Sequence, residues 1–486
     1  MIYLLLLLIF VCAIWRFTTW NRRGIRQYNF WTIWWKNFND VIRQLSYCER
    51  SISLCRDFPN ERYVGTYQSG IPTLCVKDPK LIQKILTKDF DHFRNRYPRL
   101  PDDGDPVLRK SLFLLNGTPW KTLRKVASPI FTLKKLKIMY AAMMECSINH
   151  CKILEHQVAP DAVLEMKSIL AHLATDIFCL THFSIYVNSL SDPNNKLYNM
   201  IKSIFDLDIR FYLRVGLIKI FPPIARFLGL RVFNQEMILY FQKLVDENRK
   251  ARVENNLERP DIIDLLYIQN KDNENLTVED TTATIVSFFA AGFDTVSSLM
   301  GFITFELAKN PQKQQKLQTE IDETFKACNG NVPYETMLKL KFLDCVISET
   351  LRLWSATAFM ERECVKPYTI PAEVQGEKPI HLKVGDVVAI PTFGLHRDPK
   401  FYEEPDSFKP ERFLTCDEFF MPFGNGPRQC IGNRYSMVVT KVAMFNLFLK
   451  FNILPSEKTA KEIRVLRTNL QVVSKDGYWL KLQRRG

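Results

Sequence analysis

The sequence predicts a helical body around one large apolar core, and three observations carry that expectation. Residues 277–309 read as a single long helix, opened by the capping-box-like Thr277-Val278-Glu279-Asp280 and stopped by Asn310-Pro311. Leu340, Leu343, Val346, Ile347 and Leu351 form an apolar stripe at helical spacing and mark a second helix. Hydrophobic residues make up 47% of the 486, and phenylalanine alone contributes 35, a composition that excludes general disorder and suffices to enclose an apolar ligand. Length alone allows about three average domains, yet the chain contains no internal repeat and no low-complexity linker. It divides instead into residues 1–20, a membrane anchor, residues 21–50, a basic and aromatic linker, and residues 51–486, the body that carries the chemistry.

The elements follow in chain order. Residues 1–15 are uninterrupted apolar sequence; Arg16 follows, then Phe17 to Trp20, then the basic cluster Arg22, Arg23 and Arg26. A helix needs about twenty residues to cross the hydrocarbon core, so a span here has Arg16 snorkelling and Trp15 and Trp20 near the interface. The rival is a cleavable signal peptide. No basic residue precedes the apolar run and no small-x-small site follows it, so a retained anchor is the expectation. The arginines then lie on the cytosolic side. The twelve cysteines, without regular spacing or a C-x-x-C pair, suit that reducing compartment and argue against both a zinc module and a secreted disulfide framework. Tyr28, Phe30, Trp31, Trp34 and Trp35 either lie in the headgroup layer or pack on the body, and the sequence does not choose. Residues 211–233, broken by Pro222-Pro223, carry Arg214, Lys219, Arg226 and Arg231 among hydrophobes. They read as a core helix or as a surface that dips into the bilayer.

The formal charge is +14. Lysines and arginines are scattered and no nucleic-acid motif accompanies them, so no nucleic-acid partner is expected. Most form a solvated surface; the sharper alternative is a basic patch of Arg124, Lys125, Lys134, Lys135, Arg428 and Arg434 that steers an acidic partner. The nearest metal-like cluster is Cys146, His150 and Cys151, of which Cys146 and His150 share a helix face. Small buried side chains are the simpler reading of these cysteines.

Four short segments hold the candidate chemistry. Trp120 and Arg124, four apart, lie on one helix face and offer an indole donor and a guanidinium to carboxylates. Ala291-Gly292-Phe293-Asp294-Thr295 places two polar side chains, and a glycine costing about 1 kcal/mol relative to alanine, inside the apolar run of the long helix. It reads as a packing glycine with a threonine bonding back to its own helix carbonyl, or as a functional turn. Glu349 and Arg352 share a face three residues apart, a common surface pairing worth little by itself. Near the C terminus stands Phe423-Gly424-Asn425-Gly426-Pro427-Arg428-Gln429-Cys430-Ile431-Gly432. Its glycines let the backbone turn close under a flat ligand, with amide hydrogens aimed at the Cys430 sulfur. Arg428 can reach an acidic edge of that ligand, and Gly432 leaves no side chain where it would press.

The order aromatic, Gly, x, Gly, x, Arg, x, Cys, x, Gly at residues 423–432 resembles the haem-ligand loop of the cytochrome P-450 family at every defining position. The anchor, the Trp120 segment with Ser128-Pro129-Ile130-Phe131-Thr132, the Thr295 helix, Glu349 with Arg352, and Phe408-Lys409-Pro410-Glu411-Arg412-Phe413 follow the family order. The resemblance therefore covers nearly the whole chain, and it is strongest to insect microsomal members related to the drug-oxidising group. It implies a mainly α fold with a small β-rich subdomain near the N-terminus, a triangular helical domain around haem behind an N-terminal membrane anchor helix. It further implies haem b with Cys430 as axial thiolate, Phe423 and Gly432 beside the macrocycle, and Trp120, Arg124, Arg362 and Arg428 on its propionates. By the same resemblance the acid-Thr turn opens a groove over the iron, where Thr295 holds a proton-delivery water and Asp294 relays protons from solvent. Glu349, Arg352 and Arg412 form a buried brace.

The implied activity is that of a monooxygenase, taking electrons from NADPH through a flavoprotein reductase, with cytochrome b5 as a second donor. One atom of dioxygen enters a lipophilic substrate, a xenobiotic, fatty acid, steroid or other terpenoid. The implied location is the endoplasmic reticulum membrane, with the catalytic domain facing the cytosol. Two rivals stand beside it: a family member that rearranges peroxides without a reductase, which tends to lack the acid-Thr pair, and a haem protein that only binds ligands. Phe288, Phe289, Ala290, Ala356 and Phe359 either line a pocket or pack in the core. The chain departs from the family pattern in three places. Residues 21–27 contain no proline-rich hinge, Trp354-Ser355-Ala356-Thr357-Ala358 stands where paired prolines are usual, and the segment 414–420 before Met421-Pro422 is short.

Overall fold

The structure, a computed structural model, describes residues 2–485 except 42–45, 69, 98–105, 158, 160–161, 193, 206–208, 234, 258–260, 265–277, 416–418 and 467–470. Thr277, and with it the expected capping box, lies outside the described residues, as does part of the short segment 414–420. From Val278 the chain runs as one helix, Val278–Lys309, of 32 residues. Its end follows from local chemistry. The Asn310 side-chain amide bonds the Glu306 carbonyl at 2.8 Å, and Pro311 opens the next helix, Pro311–Ala327, where a missing amide hydrogen is no loss. Met166–Phe183, Gln235–Glu254, Lys341–Leu353 and Asn433–Lys450 pack around this central helix. A helix enclosed by helices is apolar on most faces, and Phe289, Met300, Phe302 and Ile303 are all fully buried. Among the described residues it is the only helix long and apolar enough to cross a membrane, and its burial makes it the core of the body instead.

The β structure is small but not confined to the N-terminal region. Tyr63–Gln68 and Ile71–Val76 form an antiparallel hairpin. That hairpin is completed from far along the chain by Val387–Ile390, parallel with Leu74 opposite Val388, and by Met360–Glu363, antiparallel with Arg362 opposite Val388. A second sheet joins Val163–Glu165, Trp479–Arg484 and Phe451–Pro455. Strand pairing between segments hundreds of residues apart explains why the chain order placed the β-rich part too narrowly.

At the N-terminus, Ile2–Phe17 forms a helix of 16 residues whose side chains are largely exposed. Trp20 departs from expectation. It is fully buried, not interfacial, because it fills the space left by the absent side chain of Gly65, where a Cβ would collide with the indole. Its Nε1–H donates to the Thr66 carbonyl at 3.1 Å. The basic cluster is likewise engaged with the body: Arg23 pairs with Asp386 at 2.8 Å and Arg26 with Glu61 at 2.7 Å. Gln27 bridges to Gly65, extending the sheet edge. The helix Phe30–Val41 buries Ile33 and turns Trp31, Trp34 and Trp35 outward, so these tryptophans do not pack into the body.

Residues 211–233 do not form a core helix. Pro222 ends Ile209–Ile220 and opens the short helix Pro222–Phe227. Ile218, Ala225 and Val232 make a satellite cluster, while Leu213, Phe221, Ile224 and Phe227 lie exposed, Phe227 at 90%.

Candidate active site

The loop 423–432 is held by its own backbone. Gly424 and Gly426 sit at φ +76° and +72°, the left-handed region that favours glycine. A Cβ at Gly426 would also collide with the Leu86 carbonyl, so the loop passes too close to Pro79–Leu86 for any other residue. The Cys430 amide donates to the Phe423 carbonyl at 2.9 Å, closing the turn that presents the sulfur. Gly432 then starts the helix Asn433–Lys450. Cys430 keeps accessible surface although protein crowds it. That crowding pushes its thiol above the ordinary cysteine value, against the pull of the Gly432 amide and of Arg124 and Arg96 towards thiolate.

Above the loop, four guanidinium groups converge from distant segments. The helix Gly117–Ala127 carries Trp120, buried, and Arg124, half-buried. Arg428 lies over the Trp120 ring with its carbon 4.0 Å from the centroid. It donates from Nε to the Arg94 carbonyl at 3.0 Å and from Nη2 to Asn116 Oδ1 at 3.1 Å. Arg362, on Met360–Glu363, donates from Nη1 to its neighbour's carbonyl. Arg96 donates to the Arg428 carbonyl at 3.3 Å. Buried Nη1 of Arg428 and Nε of Arg96 and Arg362 have no partner, and among the described residues none of the four forms an ion pair. Burial first, then mutual repulsion, pulls Arg428 down to about 8. The same causes lower Arg362 to about 9; burial leads again in Arg96, at about 10. A guanidinium does not give up its proton in a protein; such a cluster instead calls for a bound dianion, and the two propionates of haem are one. The residues present therefore fit the group.

The central helix runs unbroken through Ala291–Thr295. Ser287, Ala291 and Thr295, one turn apart, keep accessible surface in an otherwise buried stretch. Gly292 packs tightly, since a Cβ there would stand 3.2 Å from the Phe178 ring, and Thr295 Oγ1 donates to the Ala291 carbonyl at 2.5 Å. The packing reading of this segment is thus present, with the hydroxyl satisfying its own helix carbonyl. Asp294 points elsewhere, as neighbours on a helix diverge by about 100°. It is buried and paired with Lys167 Nζ at 2.5 Å, Lys167 being partly exposed. Phe288 and Phe289 are buried, with Phe289 stacked on Phe183, so they belong to the core.

The brace is assembled as read. Arg352 donates from Nε and Nη2 to both Glu349 oxygens, at 2.7 and 2.9 Å, with both side chains wholly buried. Arg352 Nη1 reaches the carbonyls of His396 and Pro405, and Arg412 Nε meets Glu349 Oε1 at 3.2 Å. Trp354, in place of proline, stacks parallel on Phe302 and donates to Glu306 at 2.8 Å, tying the end of Lys341–Leu353 to the central helix. In the expected surface patch Lys125, Lys134 and Arg434 are exposed, whereas Arg428 is buried in the inner cluster and cannot belong to it. Cys146, His150 and Cys151 are buried, and among the described residues no group of metal ligands is found.

Two participants escaped the sequence reading. Arg96 and Asn116 lie in no motif; Asn116 Oδ1 joins the Arg96 amide to Arg428, and only tertiary proximity discloses it. A helical body with a lone, loop-held cysteine on one side of a site and a cationic cradle at its edge defines a haem-thiolate protein. The chain belongs to the cytochrome P-450 family, whose model matches residues 51–480. Among curated relatives, it is similar to cytochrome P-450 9e2 of Blattella germanica, 32% identical over 92% of this chain and 90% of the relative. It is also similar to cytochrome P-450 9b2 of Drosophila melanogaster, 34% identical over 87% and 86%, and to probable cytochrome P-450 9h1 of the same fly, 30% identical over 99% and 98%. It is accordingly a monooxygenase of the oxidoreductase class, with haem b as cofactor and electrons from an NADPH-dependent reductase.

Proposed function

We propose that this protein is a membrane-anchored monooxygenase that oxidises a lipophilic substrate, a xenobiotic, fatty acid, steroid or other terpenoid, in strict dependence on a flavoprotein reductase, with cytochrome b5 as a second donor. The observation that carries it is the convergence of four arginines, three of them with a buried nitrogen that has no partner, on the edge of a site that Cys430 enters. Cys430 would ligate the iron, Arg96, Arg124, Arg362 and Arg428 would hold the propionates with Trp120 beneath Arg428, and Phe423 and Gly432 would flank the ring. When bound, haem supplies the activation of dioxygen. Thr295 Oγ1, on the accessible stripe with Ala291, would hold and pass a proton there. The Asp294–Lys167 pair, in which Asp294 is buried and Lys167 is partly exposed, would recharge it from the surface. Residues 1–20 would anchor the protein in the endoplasmic reticulum membrane with its body in the cytosol. That reading rests on the exposed apolar helix Ile2–Phe17, while Trp20 already belongs to the body.

The test is the carbon monoxide difference spectrum of the reduced protein, followed by turnover with reductase and NADPH, for wild type and Cys430→Ala. A strongly red-shifted Soret band lost in the variant, with turnover that needs the reductase, is the expected result. An unshifted band equal in both removes the assignment of Cys430, and a shifted band without turnover leaves a protein that only binds ligands.

A further inference from the structure

Two segments far apart in the chain are pinned to one ring of the central helix. Phe302 is fully buried. Trp354 lies parallel to it, with centroids 4.9 Å apart and planes at 2°, and Tyr478 meets it edge-on at 5.1 Å. Gly301 leaves Tyr478 its place, since a Cβ there would stand 3.2 Å from that ring. The indole is also fixed against sliding. Its Nε1–H donates to Glu306 Oε1 at 2.8 Å, and the Arg397 guanidinium carbon lies 4.8 Å from its centroid. Beyond the aromatic rings the two segments converge: the Val472 amide donates to the Ala356 carbonyl at 3.1 Å, and the Ser474 amide to Tyr478 Oη at 3.1 Å. Phe302, Trp354, Ala356, Val472 and Tyr478 thus close a circuit of contacts.

That circuit adjoins the Cys430 site at both ends. Phe302 follows Thr295 by seven residues, two helical turns, so the two share a face about 10 Å apart along the axis. At its far end the segment 355–359 runs into Met360–Glu363. The Met360 sulfur lies so close to Gly424 of the cysteine loop that a Cβ there would stand 3.1 Å from it, and Arg362 of the same strand belongs to the cationic cradle. Between these ends Ala356 and Thr357 keep accessible surface. Residues 355–359 contain no proline, so nothing in their own backbone locks a φ angle, and the contacts of Trp354 supply the constraint instead. Taking Cys430 as the iron ligand, the reading on which this rests, we propose that Trp354 is a positioning residue: held on Phe302 and Glu306, its indole sets where residues 355–359 lie beside the site and so which ligand shapes the site admits.

The experiment titrates the full-length ferric holoprotein in neutral detergent with imidazole, 1-phenylimidazole and 4-phenylimidazole, and reads the red shift of the Soret band. Imidazole gauges the iron alone, whereas the two phenyl isomers differ only in where the phenyl group points. In wild type the isomers should bind with unequal dissociation constants, because a fixed wall meets them at different angles. Trp354→Ala should draw their ratio towards one by about fivefold, the change in an equilibrium constant that one aromatic contact carries, and should leave imidazole affinity unchanged. Glu306→Gln keeps an oxygen acceptor for the indole and should keep the wild-type ratio. Equal isomer affinities in wild type, an unmoved ratio in Trp354→Ala, or a loss of imidazole affinity in step with the phenyl isomers each overturns the proposal. A shift in Glu306→Gln as large as in Trp354→Ala makes the Glu306 charge the cause and overturns it too. Should Trp354→Ala not hold haem, Trp354→Phe, which keeps a ring on Phe302 and loses the Nε1 bond, takes its place, and an unmoved ratio there is equally decisive. No imidazole shift at all in wild type would defeat the iron-ligand reading itself, so the two failures are told apart without turnover.

Discussion

Glu349 is wholly buried and carries a charge that three partners satisfy: the Arg352 fork, Arg412 Nε and the Lys409 amide. Removing one member of such a set leaves the other charges buried and unpaired, at about 3–5 kcal/mol. Glu349→Gln is therefore expected to lower the thermal midpoint sharply and to cut the haem content of the purified protein, read as Soret absorbance per chain; a wild-type midpoint would refute the brace. His396 sits against the same network. Its Nε2 accepts from the Met421 amide at 3.1 Å, and burial, then the charges of Arg352 and Arg397, lower its pKa to about 3. The unfolded chain takes up a proton near pH 6.5 that the folded state refuses, so the stability His396 contributes is present above that pH. It is lost as pH falls from about 6.5 towards about 3. His396→Gln keeps an acceptor and removes the titration. The unfolding free energy of the variant, from urea titration, should fall less than that of wild type between pH 7 and pH 5, by up to about 1.4 kcal/mol per pH unit, and equal falls would exclude His396. Thr295→Ala separates stability from function. Among the described residues its hydroxyl bonds only its own helix, so the melting temperature should hold while product formed per NADPH consumed declines. A parallel loss of stability would mark Thr295 as structural only.

At the scale of elements, legibility tracked locality. The loop 423–432 and the pair Glu349 and Arg352 were readable because their partners lie within a few residues or within a fixed motif. The stop of the central helix at Asn310-Pro311 was readable for the same reason. Arg96 was not, since nothing near Asn95 or Tyr97 signals that its guanidinium will meet Arg428 across more than three hundred residues. Trp20 was misplaced because aromatic, apolar sequence looks the same whether a lipid or Gly65 receives it; the slot above Gly65 exists only after the hairpin folds. Thr295 shows the converse limit, where the packing reading and the functional one share a side chain and the geometry displays the packing bond. The loop itself makes the sharpest prediction. Gly426→Ala places a methyl against the Leu86 carbonyl and strains a φ of +72°. The variant should lose the red-shifted carbon monoxide band even though Cys430 is intact. A normal band in soluble Gly426→Ala protein would show that the loop tolerates another path.

Across the whole molecule the question is where the proposed anchor ends and the body begins, and the burial of Trp20 places that residue with the body. Helix Ile2–Phe17 contributes exposed apolar surface, whereas Trp20, Arg23 and Gln27 are stitched into the four-stranded sheet by an indole donor, an ion pair with Asp386 and a bridge to Gly65. That sheet also carries Arg362 on Met360–Glu363, so whatever loosens its first strand reaches the edge of the cationic cradle. Removing residues 1–17 should therefore leave a folded protein with an intact carbon monoxide spectrum and much weaker membrane attachment. Removing residues 1–28 takes the plug out of the sheet, and Trp20→Ala in the full chain does so with a single change, for which about 3–5 kcal/mol is expected from a buried indole. Thermal unfolding of the three proteins, with vesicle flotation of each, decides the matter. If the longer deletion melts as the shorter one does, the body begins after residue 28 and Trp20 is a passenger of the anchor. If only the longer deletion and Trp20→Ala melt early, the segment after the apolar helix is the first structural element of the catalytic body, and the chain passes from the membrane to the sheet without a free hinge.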